Sequence, residues 1–386
     1  MSACADGGTK DTPQSQVAIA AEHHLFSLRS LRGFGTFPVP ADAVETRTWK
    51  LNLFDDSTYT LTTSSGTSAP DRYALENDGT LSIYVAGFGN EPSQIFLGGY
   101  SLGAGQAQPD LFFTDRVSSP NSQRIGLFYG TRVVQGQVEL AGAWHVLSLH
   151  VVFDQTILSP ENVGRGAHGG VSIATGAPGD ARAISGTGMQ GTSSLTFSGS
   201  IRYLLDAQGN GDGTVNLSLG YQLTGQAVDT RVLQAAASER VVFALDENSG
   251  DGEAGLVTLV RKFDAPTTPV DSVRVPGTFL VGGHTLFINP SNSGSDTFVG
   301  VVTLTPQGGF RLDATGNNGA DFTYTGSYAL AADGGMTISI DGTNETWFAA
   351  IDTSYNSFAL IDDFEELRPN NIPELNFAFG VRRQEN

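Results

Sequence analysis

Residues 98–107 read GGYSLGAGQA, and GYSLG within them spells the G-x-S-x-G pattern that displays a serine nucleophile, here Ser101. The pattern does chemistry only on a sharp turn from a strand into a helix, above a parallel sheet, where a histidine and an acid converge on the hydroxyl. Nothing downstream supplies that turn. GQAQPD follows, Pro109 would break a helix in its second turn, and DLFFTD reads as another strand. The next histidine is His145. Ser101 is therefore expected at a glycine-bent strand end, with serine hydrolysis as the alternative. His145 and His150 lie on one apolar run, GAWHVLSLHVV, at an odd separation that points them to opposite faces of a strand, so they cannot share a metal. No cysteine stands near a histidine, and neither a zinc site nor a cofactor is expected. The segment DAQGNGDG offers Asp206, Asn210 and Asp212 as calcium ligands, but Gln208 replaces the leading carboxylate of such a loop and Leu219 stands at its closing position. A solvated acidic hairpin is the simpler expectation.

Composition narrows the rest. The chain has 386 residues with 21 lysines and arginines against 40 aspartates and glutamates, a net charge of −19 that repels phosphate backbones and anionic lipid. Nucleic acid is not an expected partner. Only 16% of residues are charged while glycine numbers 48, and Thr, Ser, Val and Phe outweigh the helix formers, so strands joined by tight turns are expected. No apolar run is long enough for a membrane-spanning helix. The single cysteine, Cys4, excludes an intrachain disulfide. MSAC followed by the polar tract ADGGTKDTPQSQ resembles the end of a bacterial lipobox, which implies a lipidated Cys4 on a flexible leash, membrane anchoring through that cysteine alone, and an extracellular or cell-surface location.

The chain repeats itself. YALENDG (Tyr73–Gly79), YLLDAQG (Tyr203–Gly209) and YALAADG (Tyr328–Gly334) recur about 125–130 residues apart, each between two alternating strands, as hairpins whose glycine takes positive φ. GLFYGTR, GLVTLVR and NFAFGVR close the three copies at Arg132, Arg261 and Arg382, after the apolar strands DLFFTD, RVVFALD and SFALIDD. GTF at Gly35–Phe37, GAW at Gly142–Trp144 and GTF at Gly277–Phe279 open them. In the third copy eight strand-like runs follow one another, from GTFLVGGHTLFI to ELNFAFGVRR, with connections too short for crossover helices, so neighbours pair antiparallel. Eight strands in up-and-down order can close and leave no edge. The expected fold is all-β, three tandem eight-stranded antiparallel barrels; the alternative is one six-bladed propeller-like assembly.

A glycine, one residue and an aromatic on the first strand, with an arginine on the last, resembles the calycin signature of lipocalins and their relatives. The resemblance implies that the aromatic packs beneath the basic side chain at the closed end of each barrel, through Gly35/Phe37/Arg132, Gly142/Trp144/Arg261 and Gly277/Phe279/Arg382. It also implies that one barrel, the second, holds a small apolar ligand, with Trp144, His150 and Arg261 as candidate ligand-binding residues; the segment 154–170 reads first as a tolerated insertion, with a lid or docking arm over the mouth as the alternative. Expected boundaries are a leader at 1–27, barrels at 28–134, 135–264 and 272–386, and linkers near 133–141 and 262–275. Function is expected to be that of a non-catalytic secreted or surface-anchored binding or scaffold protein, meeting a surface protein partner or an apolar ligand.

Overall fold

The computed structural model describes residues 20–35, 43–86, 92–101, 110–116, 124–133, 136, 138–152, 164–177, 179–206, 208–247, 253–287, 293–362 and 374–384. Among them there is no α-helix. The first copy contains β1 (Ala21–Leu31), β2 (Gly33–Gly35), β3 (Val44–Leu53), β4 (Thr58–Thr63), β5 (Gly66–Thr67), β6 (Asp71–Leu75), β7 (Thr80–Ala86), β8 (Pro92–Tyr100), β9 (Asp110–Arg116) and β10 (Arg124–Arg132). Eight of these close into barrel 1 because β1 pairs with both β3 and β10, while β5 adds a short rung to β4. Barrel 2 runs in order through β11 (Gly142–Val152), β12 (Gly164–Ile173), β13 (Arg182–Gln190), β14 (Ser193–Leu205), β15 (Gly211–Leu223), β16 (Asp229–Ala237), β17 (Val241–Asp246) and β18 (Glu253–Arg261), which returns to β11. Barrel 3 does the same with β19 (Gly277–Phe287), β20 (Ser293–Leu304), β21 (Gly309–Gly316), β22 (Asp321–Leu330), β23 (Gly335–Ile340), β24 (Thr346–Ile351), β25 (Ser357–Asp362) and β26 (Glu374–Arg382). Three closed eight-stranded antiparallel barrels, and not a propeller, are the fold.

The hairpin repeat forms for the reason its sequence suggests. Gly79, Gly209 and Gly334 all take positive φ, at 92°, 80° and 89°, where a side chain would be strained. The tyrosine that opens each repeat then anchors it, since Tyr73, Tyr203 and Tyr328 donate their hydroxyls to the main-chain carbonyls of Phe54, Val138 and Thr305.

Two expectations need correction. Barrel 1 does not open at Gly35: β1 begins at Ala21, within the stretch expected as a leader, and His23 is the residue in register with Arg132. Gly35 belongs to β2, which crosses over to pair with Ser293 and Gly294 on the wall of barrel 3, and Phe37 lies outside the described residues. The segment 154–170 is not one loop either. Residues 164–170 are the first part of β12, paired with β11, and 153–163 lie outside the described residues.

The stretches expected as linkers seal barrel ends. Val138 and Leu140 are buried in the core of barrel 2, while Phe263 and Val275 are buried in that of barrel 3.

Strand patterning separates inner from outer walls. On β22 burial alternates along the whole strand, as expected where one face meets solvent. β17, β25 and nearly all of β18 are buried on both faces. Their second faces meet in a shared apolar junction that includes Phe26, Leu28 and Tyr129 of barrel 1, Leu147, Phe243 and Leu245 of barrel 2, and Leu286, Phe377 and Phe379 of barrel 3. Tyr129 stands 4.6 Å from Phe243 and 6.4 Å from Phe379, ring centre to ring centre, and donates its hydroxyl to the carbonyl of Ala244 at 3.3 Å. Each such large side chain withdrawn from water stabilises the arrangement by about 1.5–3 kcal/mol, so the barrels form one body rather than beads on a string.

Candidate functional site

Ser101 follows β8, and its amide donates to the carbonyl of Asp110 across an antiparallel pair, not on an elbow. The glycines beside it serve packing. A Cβ on Gly98 would fall 1.9 Å from the Phe112 carbonyl oxygen, and one on Gly99 would strike Phe112 and, from barrel 3, Val381. Ser101 itself is 2% exposed. A different serine meets a histidine: Ser30 Oγ lies 3.1 Å from His284 Nε2 and 2.5 Å from Ser295 Oγ, where barrels 1 and 3 touch. Both residues are fully buried, and His284 Nδ1 has no hydrogen-bond partner that could orient the ring as an acid does in a hydrolase. Burial holds the His284 imidazole down at about 3, so it stays neutral. This pair is packing.

The aromatic–arginine plug forms in two barrels. The Arg261 guanidinium lies 4.4 Å from the Trp144 ring centre and donates to the carbonyls of Glu139 and Ala141; Arg382 lies 4.7 Å from Phe279 and donates to those of Arg274, Val275 and Pro276. Trp144 and Arg261 thus close the bottom of barrel 2. His150, six residues up the same inward face, sits about 20 Å away at the mouth. The three candidate ligand residues do not converge.

What surrounds His150 is charged. Its Nδ1 is 3.6 Å from both Asp246 and Glu253, and its Nε2 is 3.4 Å from the Tyr221 hydroxyl. Arg231 pairs with Glu253 and, at 2.7 Å, with Asp229; Arg165 approaches Glu253 at 3.5 Å. Burial would weaken the proton's hold on Arg231, but Asp229, Glu253 and Asp246 outweigh it and raise its pKa, while burial pushes the Tyr221 phenol up. The cavity these groups leave is about 20 Å³, room for one water. An apolar ligand does not fit there among the described residues. The network holds the mouth in one geometry, since breaking a buried ion pair leaves a charge uncompensated. Its one legible trace is the acid ending RVVFALD, at an inward position shared by Asp362 of SFALIDD, which accepts hydrogen bonds from Asn376.

The calcium candidates are engaged by the protein. Asp206 accepts from the amides of Gln208 and Asn210 within its own turn, and Asp212 accepts from Thr214 and from Lys50 of barrel 1 at 3.3 Å. Among the described residues no three His, Cys, Asp or Glu side chains are grouped to hold a metal ion. His145 points outward, its Nε2 3.1 Å from the Asp333 carbonyl of barrel 3, as the odd spacing requires. Cys4 lies outside the described residues.

A larger opening lies where the outer walls of barrels 1 and 2 diverge, a cleft of about 510 Å³. Phe26 and His24 form its floor; Thr48 and Thr62 stand on one wall, Asn216 and Gln234 on the other. Thr48 donates to Gln234 across it at 3.2 Å. Lys50 is its cation, held 3.3 Å from both Glu22 and Asp212. His24 Nε2 lies 2.8 Å from the Asp212 carbonyl, and burial lowers its pKa.

No protein-family model matches the chain, and no curated protein matches it in sequence. Among solved structures it is similar to a transferrin-binding protein B mutant from Haemophilus parasuis, at 8% identity and a TM-score of 0.32 over 96% of this chain and 77% of that one. It is similar to the isotype 1 transferrin-binding protein B of serogroup B Neisseria meningitidis at 10% identity and a TM-score of 0.29, with the same coverage. A protein of unknown function from the DUF3598 family of Nostoc punctiforme aligns at 10% identity and a TM-score of 0.23, over 63% of this chain and 96% of that one.

Proposed function

We propose that the chain is a non-catalytic binding or scaffold protein, displayed on the outside of a bacterial cell through a lipidated Cys4, that meets a surface partner with the outer walls and loop-bearing ends of its barrels. What carries this reading is the junction around Tyr129, Phe243 and Phe379, which fixes three barrels in one mutual arrangement. A docking platform needs such fixed surfaces, whereas hydrolysis needs an accessible nucleophile and base. The sealed ends at Trp144–Arg261 and Phe279–Arg382 leave the interiors to packing, which moves recognition outward. A net charge of −19 disfavours nucleic acid and bare anionic membrane as partners.

Incubation with a fluorophosphonate probe tests the non-catalytic part. No covalent labelling is expected, and labelling that disappears in Ser101→Ala would overturn it. For display, the chain expressed behind a bacterial lipoprotein signal should incorporate labelled palmitate and partition with membranes. Cys4→Ala should lose the label and become soluble; a variant that kept both properties would refute the anchor.

A further inference from the structure

We propose that the cleft between barrels 1 and 2 binds a neutral saccharide, a mono- or disaccharide free in solution or at the end of a glycan chain. The proposal rests on the binding-protein reading above and names a ligand class and a site for it. Its volume of about 510 Å³ lies within the range of small-molecule sites, roughly 300–1,000 Å³. The cleft is also preformed, because the apolar junction next to it includes Phe26 and fixes barrel 1 against barrel 2.

The wall chemistry selects the class. Thr48 and Thr62 bring hydroxyls, the first donating to Gln234 and the second bonded to Thr67, but each keeping a lone pair to accept with. Gln234 keeps its amide donors, and Asn216 brings a carboxamide with two donors and an acceptor. A sugar ring presents the same mixture, a set of hydroxyls each able to give and take. Asn216 is exposed and, among the described residues, makes no side-chain hydrogen bond, so its full complement faces the opening. Leu204, 38% exposed at the rim, offers apolar surface for the C–H face of a pyranose, while Phe26 beneath is buried in the junction and only supports the floor.

Charge argues against the other classes. Lys50 is already matched by Glu22 and Asp212, so it offers no uncompensated cation to a phosphate or carboxylate, and the chain's net charge of −19 opposes anions at longer range. Those two acids are likewise engaged, which removes an attraction for cations. A purely apolar ligand would strip water from Asn216 and Gln234 without replacing its hydrogen bonds.

Saturation-transfer NMR on the full chain with glucose, maltose, cellobiose and diacetylchitobiose, each at about 10 mM to detect millimolar binding, tests the assignment. Transfer to ring protons of at least one sugar is expected. The double variant Asn216→Leu/Gln234→Leu should weaken that binding at least about tenfold, and Thr48→Val on the opposite wall should weaken it independently, which decides the matter should the double variant misfold. Ser339→Ala, on the outer wall of barrel 3, should bind as the parent does. Silence from all four sugars, or undiminished binding in a folded cleft variant, would overturn the proposal. Neither result touches the non-catalytic reading, which falls only to Ser101-dependent labelling.

Discussion

His23 occupies the position where the other two barrels carry Trp144 and Phe279, in register with a closing arginine. It is fully buried, it packs edge-on against Tyr100 at 5.5 Å, and neither ring nitrogen has a hydrogen-bond partner. Burial, reinforced by Arg132 and then His24, lowers its pKa to about 3. A base whose folded pKa lies below its unfolded value of 6.5 contributes fully above 6.5 and loses that contribution as pH falls toward 3, at up to about 1.4 kcal/mol per pH unit. His145, His168 and His284 are lowered by burial in the same direction, so acid should unfold the protein steeply. His23→Phe should restore the aromatic of the repeat and delete two unsatisfied nitrogens, raising stability by about 1–3 kcal/mol at neutral pH. It should also remove about one proton from the uptake on unfolding between pH 6 and 4. Urea denaturation from pH 7 down to pH 4 measures both; an unchanged midpoint at pH 7 and an unchanged pH dependence would contradict the account. The same histidine hides the true opening of barrel 1 in the sequence. G-x-aromatic is a pattern of residue types, and GTF at Gly35–Phe37 satisfied it where the true position holds an imidazole.

At the scale of elements, the turns that meet between barrels are as informative as the strands. Asp110 at the start of β9 is fully buried and accepts from Ser357 Oγ, at the start of β25, at 2.5 Å. Arg240, in the turn between β16 and β17, donates to Ser354 at 2.8 Å and lies 3.7 Å from Asp352. Burial pushes the Asp110 carboxyl up to about 6, with Asp352 adding to the rise and Arg240 and Ser357 opposing it. The fold therefore holds a proton that the unfolded chain has released, and this residue's contribution falls as pH rises from about 4 through 6. Asp110→Asn keeps a neutral hydrogen-bonding group and should flatten that fall, with a gain of up to about 3 kcal/mol at pH 7. A variant whose pH profile from 4 to 7 matched the parent would refute the assignment. Strands on the outer walls are legible because one face alternates, as along DFTYTGSYAL, the whole of β22 from Asp321 to Leu330. Strands at the junction were legible only as strands, since RVVFALD and SFALIDD show that both faces are apolar but not what covers the second face. The cleft left no trace in the sequence. Thr48, Asn216 and Gln234 look like any solvated outer-wall residues until the packing of two barrels brings them together.

For the whole molecule, the junction decides whether three barrels behave as three proteins or one. Each barrel has its own interior core, which alone would permit independent unfolding. The shared cluster changes this, because separating barrel 2 would expose Leu147, Leu149, Phe243 and Leu245 together, an apolar patch that water penalises at about 25 cal/mol per Å². A barrel released from its neighbours is then less stable than the assembly, and loss of one barrel strips cover from the other two. Calorimetry should accordingly record one dominant transition, with a van't Hoff enthalpy well above that expected for a domain of about 120 residues. Barrel 2 produced alone should associate or aggregate through the uncovered face. Phe243→Ala removes the ring that contacts both Tyr129 and Phe379, and should cost about 3–5 kcal/mol while splitting the single transition into components. Three well-separated transitions in the parent, or a soluble monomeric barrel 2, would show that the junction is mere contact and that the barrels' fixed arrangement has another cause.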